Sequence, residues 1–172
     1  KGDGRMLAEG TPFTCDWVVD NNGQPVARVE WDAQRERFSV LYRRGTSWTR
    51  IFELATARPP VMAGLSADGS ALLMFGALDR THQALWRLPI DGGAPQVLIE
   101  DDAYDLSAPI VDPYTREILG AWKGGLAPEI QWLDATAEKK SAALRKTFGG
   151  SHAHVIGRSA DNSRVLVDVS TS

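Results

Sequence analysis

A single cysteine, Cys15, stands in a chain of 172 residues. An internal disulfide is excluded, and the redox compartment stays open. No apolar stretch approaches the roughly 18 residues of a membrane-crossing helix, and no charged-then-apolar leader follows the opening Lys1-Gly2-Asp3-Gly4. A membrane is therefore not an expected partner. Glycine-rich nucleotide motifs are missing too: there is no G-x-G-x-x-G, no phosphate loop, no C-x-x-C and no N-x-Ser/Thr sequon. Positive charge is short: the net charge is −3, and Arg43-Arg44 is too brief a run to form a phosphate-binding stripe. Nucleic acid is excluded as the expected partner, and Arg43-Arg44 reads as a solvated turn.

What is present is a repeat. Four times an apolar run meets an Asp-led turn and restarts: at Trp17-Val18-Val19-Asp20, Leu65-Ser66-Ala67-Asp68, Ile110-Val111-Asp112 and Arg158-Ser159-Ala160-Asp161. The aspartates are 48, 44 and 49 residues apart. A β-propeller blade of four short antiparallel strands takes about 40–50 residues. At 43% hydrophobic the chain has enough apolar content for a core. The expected fold class is all-β: a partial β-propeller of about three and a half four-stranded antiparallel blades, in one domain over 1–172, with one short helix near 136–148. Since roughly four to eight blades close a ring, the chain reads as a fragment of a longer one.

The first repeat predicts strands at Thr14–Val19, Val26–Trp31, Phe38–Arg43 and Trp48–Leu54, with Asn21-Asn22-Gly23 supplying the positive φ of the first turn. Alternation in Ala27-Arg28-Val29-Glu30-Trp31 puts Ala27, Val29 and Trp31 on one face. The second repeat predicts Val61–Leu65, Ala71–Ala77, Ala84–Leu88 and Gln96–Ile99, with turns at Asp68-Gly69 and Asp91-Gly92-Gly93. Its run Ala71-Leu72-Leu73-Met74-Phe75-Gly76-Ala77 is apolar on both faces, as a strand between two neighbouring blades must be. The third predicts Ala108–Val111, Glu117–Trp122 and Glu129–Leu133, then the helix, with Ala137, Leu144 and Phe148 on one stripe and Gly149 as its stop. His154–Gly157 and Arg164–Val169 begin a fourth blade, and Arg5–Glu9 reads as the last strand of a preceding one.

Candidates for chemistry are few. Gly149-Gly150-Ser151-His152-Ala153 has the outline of a nucleophile elbow, but that elbow needs strand before and helix after, and here the order is reversed. Ser151 therefore reads as a loop residue. His152 and His154 share a strand face and would need His82 or a distant carboxylate as a third metal ligand. Glu100-Asp101-Asp102 with Asp105 offers oxygen ligands without the loop spacing of a calcium site. Trp31, Trp86, Trp122 and Trp132 fall within predicted strands, where packing between blades accounts for them; Trp17 and Trp48 are less constrained. No catalytic, cofactor-binding or metal residue is assigned.

One stretch carries a resemblance. Trp17-Val18-Val19-Asp20-Asn21-Asn22-Gly23-Gln24-Pro25-Val26-Ala27-Arg28 resembles the W-x-x-D-x-x-G-x-P-x-A-R segment in the N-terminal propeller of bacterial prolyl oligopeptidase-family serine peptidases, in the acylaminoacyl and dipeptidyl peptidase branch. Ala143-Leu144-Arg145-Lys146-Thr147-Phe148 followed by His154-Val155-Ile156-Gly157-Arg158-Ser159-Ala160-Asp161-Asn162-Ser163-Arg164-Val165-Leu166-Val167 is similar to that branch's helix-then-strand segment late in the propeller. The resemblance spans about Arg5 to Ser170. It implies a parent hydrolase of the bacterial cytoplasm or periplasm whose Ser-Asp-His α/β-hydrolase domain lies after Ser172. The propeller would cap that domain and admit only short peptides. The chain has no G-x-S-x-G, so no catalytic residue carries over and the isolated chain is expected to be inert. The alternative is an interaction or ligand-binding propeller with no attached hydrolase; Trp31-Asp32 is its one Trp-Asp dipeptide, with no Gly-His partner. An open arc also implies self-association, through unpaired backbone along Arg164–Val169 and strand exchange by Arg5–Glu9.

Overall fold

The computed structural model describes residues 4–125, 129–149, 152–161 and 163–170. Four antiparallel sheets follow one another in chain order. The first holds β1 (Thr14–Val19), β2 (Pro25–Asp32), β3 (Arg37–Arg44) and β4 (Ser47–Ala55). The second holds β5 (Val61–Leu65), β6 (Ala71–Gly76), β7 (Ala84–Pro89) and β8 (Gln96–Ile99). In the third, β9 (Leu106–Val111), β10 (Ile118–Lys123) and β11 (Glu129–Trp132) precede α1 (Ala135–Thr147), which comes where a fourth strand would. The last pairs β12 (His152–Arg158) with β13 (Val165–Ser170). Every pairing runs strand to next strand, the meander of a propeller blade. The fold is all-β and propeller-like, an open stack of sheets with one helix.

Side-chain alternation sets the stacking. Ala27 and Val29 of β2 and Phe38 and Val40 of β3 point to one side, where they share a core with Leu72, Met74, Trp86 and Leu88 of the second sheet. The intervening residues of β6 and β7 point the other way. Leu73, Phe75 and Leu85 pack with Leu106, Ile118 and Ala121 of the third sheet. All six residues of β6 are buried, so the strand that is apolar on both faces supplies two cores at once. Trp86 keeps its indole in the first core because its N–H donates to the Gly76 carbonyl at 2.8 Å. Gly120 in β10 has no room for a Cβ, which would meet the Gln131 carbonyl of the adjacent strand.

The fourth sheet is held differently. Arg158 pairs with the buried carboxylate of Asp112, the Tyr114 hydroxyl donates to the Arg158 carbonyl, and the Trp122 ring meets His154 edge-on at 5.7 Å. Ala153 is buried beneath these contacts, whereas Val155, Ile156, Val165 and Leu166 are exposed. The Asp134 carboxylate caps α1 by accepting from the Ala137 N–H at 2.5 Å. Gly149 follows the last turn at φ +66°.

Two expectations are corrected. Arg5–Glu9 forms no strand. The segment meets no free sheet edge; the Glu9 carbonyl instead accepts from the Arg28 guanidinium at 3.4 Å, and Met6 and Leu7 are exposed. The helix stripe is shallow: Ala137 and Leu144 are half-buried but Phe148 is exposed, and no residue of α1 is buried.

If β6 joins two cores, truncating it should cost far more than truncating the last sheet. Leu72→Ala is expected to lose about 2–5 kcal/mol in urea denaturation, the range for a fully buried leucine. Leu166→Ala should fall within about 0.5 kcal/mol of the parent, as at an exposed site. Equal losses at the two positions would contradict the arrangement.

Candidate functional site

The turns joining the first two strands of each sheet are built alike. The backbone N–H groups of Asp20, Ser66, Asp112 and Ser159 each donate a bond that closes the turn, to the carbonyls of Gln24, Ala71, Glu117 and Arg164 in that order. Each residue also turns its side-chain oxygen inward. Asp20 accepts from the Asn22 and Gln24 N–H groups, Asp112 from Tyr114 and Thr115, Ser66 from Ala71 at 3.0 Å and Ser159 from Arg164 at 3.0 Å. These four positions stand 46, 46 and 47 residues apart. The structural repeat is thus more regular than the spacing of the aspartates, because Asp68 and Asp161 sit two residues further into their turns. In the first turn only Gly23 has positive φ, +73°.

Three of these turns converge. Together with β1 and β5 they line an open funnel of about 920 Å³, with Asp20–Gly23 on one side, Ser66, Ala67 and Gly69 on the second and Tyr114–Glu117 on the third. That volume lies within the range of small-molecule sites, about 300–1,000 Å³. Its charged rim consists of Asp16, Asp20 and Glu117 against Arg116. Arg116 is a non-glycine residue at φ +63°, a conformation disfavoured for side-chain-bearing residues.

Hydrogen bonds to the turn carboxylates shape their acidity. The Ser66 hydroxyl, then the Ser70 hydroxyl and N–H, hold Asp68 far below the ordinary carboxylate range. In the fourth turn the Ser159 hydroxyl and the Ser163 N–H and hydroxyl hold Asp161 at about 2. At Asp112 burial pushes upward, but the Thr115 and Tyr114 N–H groups and the Arg158 guanidinium outweigh it, and the net shift is downward.

The residues nominated by sequence do not assemble. Ser151 lies outside the described residues, and among those described no serine hydroxyl is within hydrogen-bond reach of a histidine. His82 lies 3.5 Å from Asp105 in the second sheet's loop, and His154 lies 3.5 Å from Asp168 in the fourth sheet. Among the described residues no three of His, Cys, Asp and Glu gather into a metal-holding group. The acidic run is spent on structure. Asp101 accepts from the Ala103 and Tyr104 N–H groups and meets Lys123 at 3.4 Å, Asp105 accepts from the Gln83 N–H, and Glu100 pairs with Arg80 at 3.4 Å. Trp31 and Trp86 pack in the first core, as expected of strand tryptophans. Trp17 and Trp48 meet edge-on at 5.6 Å. Cys15 is exposed; partial burial of its thiol, with Asp16 beside it, raises its pKa. Sequence reasoning missed Asp16, Arg116 and Glu117. Nothing in Arg116-Glu117 announces a left-handed turn residue at a funnel mouth.

A carboxyl that binds protons more weakly folded than unfolded stabilises the native state at pH above its unfolded value, and that contribution is lost as pH falls through the folded value. Asp161 should therefore titrate near pH 2 by NMR in the folded chain, against an ordinary 3.8. Ser159→Ala should move the midpoint upward. A midpoint at the ordinary value in the parent would contradict the turn geometry.

The chain matches no family model and no curated protein.

Proposed function

We propose that this chain is the non-catalytic propeller portion of a serine peptidase of the prolyl oligopeptidase family, capping the active site and restricting substrates to short peptides. The observation that carries the reading is the funnel: three inter-strand turns from three sheets converge on one open cavity of about 920 Å³. Its walls present backbone, small side chains, the larger Trp17, Met62, Leu65 and Tyr114, and four charged residues, with no serine–histidine pair among the described residues. Such a passage can select by size and leave the reaction to another domain. The motif Trp17–Arg28 and the helix-then-strand segment add the family resemblance. In this reading the partners are an α/β-hydrolase domain of the same parent chain and its short peptide substrates, and the open edge of β13 is completed by further propeller strands or by a second copy.

The reading is tested at two levels. The isolated chain should hydrolyse no aminoacyl or acyl-peptide chromogenic substrate and leave a fluorophosphonate probe unreacted; stoichiometric labelling of Ser151 would overturn it. The coding sequence should continue into a G-x-S-x-G after a strand, then Asp and His. In that parent enzyme, Ala67→Trp should narrow the funnel and lower kcat/KM several-fold more for longer peptides than for a single aminoacyl amide. An equal effect on both substrates, or a coding sequence without the elbow, would remove the gating role.

A further inference from the structure

The first sheet has a second face, turned away from the core it shares with the second sheet, and its chemistry is unlike that of either inter-sheet face. Cross-strand pairing brings Trp17 beside Arg28, Arg28 beside Leu41, Leu41 beside Arg50, and Arg43 beside Trp48. Leu41 is the one buried aliphatic residue there. Around it Arg28 pairs with Glu30 at 3.0 Å, while Arg50 at 2.8 Å and Arg37 at 4.0 Å share Glu53. Arg43 forms no ion pair among the described residues; its guanidinium lies 5.9 Å from the centre of the Trp48 ring, with Arg28 at 5.3 Å. Four guanidinium groups, of Arg28, Arg37, Arg43 and Arg50, thus face three carboxylates, of Glu30, Glu53 and Asp32, the last of which pairs with Arg35 at 3.3 Å, beside two half-buried tryptophans.

A covering surface made like the other sheet faces, of Leu, Val, Met and Phe, would bury the Arg43 guanidinium, which among the described residues donates only to the Gly45 carbonyl, with no counter-charge, which is strongly unfavourable. The occupant has to supply carboxylates. A nucleic acid supplies unbroken negative charge, which Glu30, Asp32 and Glu53 oppose. A polypeptide with spaced carboxylates and apolar residues between them meets both requirements: Arg–carboxylate forks at Arg43 and Arg37, and apolar contact at Trp17 and Trp48. Trp and Arg are also the residues that dominate binding energy in protein interfaces. We propose that the outer face of the first sheet is a docking site for an acidic segment of a protein partner.

The test is fluorescence anisotropy of a labelled, acetylated peptide alternating Glu and Leu, titrated with the chain at low and physiological salt. A Lys/Leu peptide and a single-stranded oligonucleotide serve as controls. Saturable binding of the acidic peptide alone is expected, weaker at higher salt as screening requires. Arg43→Glu should weaken it by about tenfold or more, a loss of about 1.4 kcal/mol, while Arg43→Lys keeps most of it. Arg50→Glu, at a half-exposed position, provides a second variant if circular dichroism shows that Arg43→Glu fails to fold. No saturable binding of the acidic peptide at low salt, equal binding of the oligonucleotide, or affinity unchanged in the charge-reversed variants would each overturn the proposal.

Discussion

Everything in this fold hangs on a strand that has no polar face. In β6, Leu72 and Met74 enter one core and Leu73 and Phe75 the other, so the second sheet is the only element belonging to both described cores. Fully burying each such side chain contributes about 1.5–3 kcal/mol. The contribution is spent twice over, once against β2 and β3 and once against β9 and β10. Stability should therefore decline outward from the second sheet. At the far end the fourth sheet is held by the Asp112–Arg158 pair, the Tyr114 hydroxyl, the Trp122–His154 ring contact and, among the described residues, a single buried alanine. An ion pair of that kind fixes geometry more than it adds stability, since desolvation offsets much of its attraction.

The same stacking rule separates packing surface from working surface. Where the first three sheets face one another, alternation leaves apolar residues; towards the third sheet's contact with the fourth, the funnel and the outside, polar and charged residues return. The funnel and the Arg/Trp face of the first sheet are both places where that return occurs. The funnel is formed by turns of three sheets together with β1 and β5, the outer face by strand side chains of the first sheet, and Trp17 borders both.

The strand pattern could be read from sequence because period-two alternation and turn chemistry agree with each other. Thr14–Val19, Val61–Leu65 and Gln96–Ile99 match the observed strands to the residue, and most other bounds differ by one or two. The true repeat could not be read from aspartates alone. A serine hydroxyl at Ser66 or Ser159 closes its turn as a carboxylate does at Asp20 or Asp112, so the acceptor is constant while the residue type is not. Arg5–Glu9 forms no strand because a short apolar run, Met6-Leu7-Ala8, marks a strand-like segment without identifying an edge for it to pair with. The funnel was invisible for a related reason: its walls are backbone from turns some 46 residues apart. The pairing of Trp17 with Trp48, and the guanidinium groups around them, depends on cross-strand register that no local pattern encodes.

The central claim, that β6 is the shared wall of two cores and that order decays outward from it, is tested most directly by native-state hydrogen exchange followed residue by residue. The amides of β6 and β7 should exchange only through the largest opening free energy in the chain, those of β9 and β10 through a smaller one, and those of β13 through local fraying. Protection in β13 equal to that in β6, or rapid exchange along β6 itself, would contradict the account.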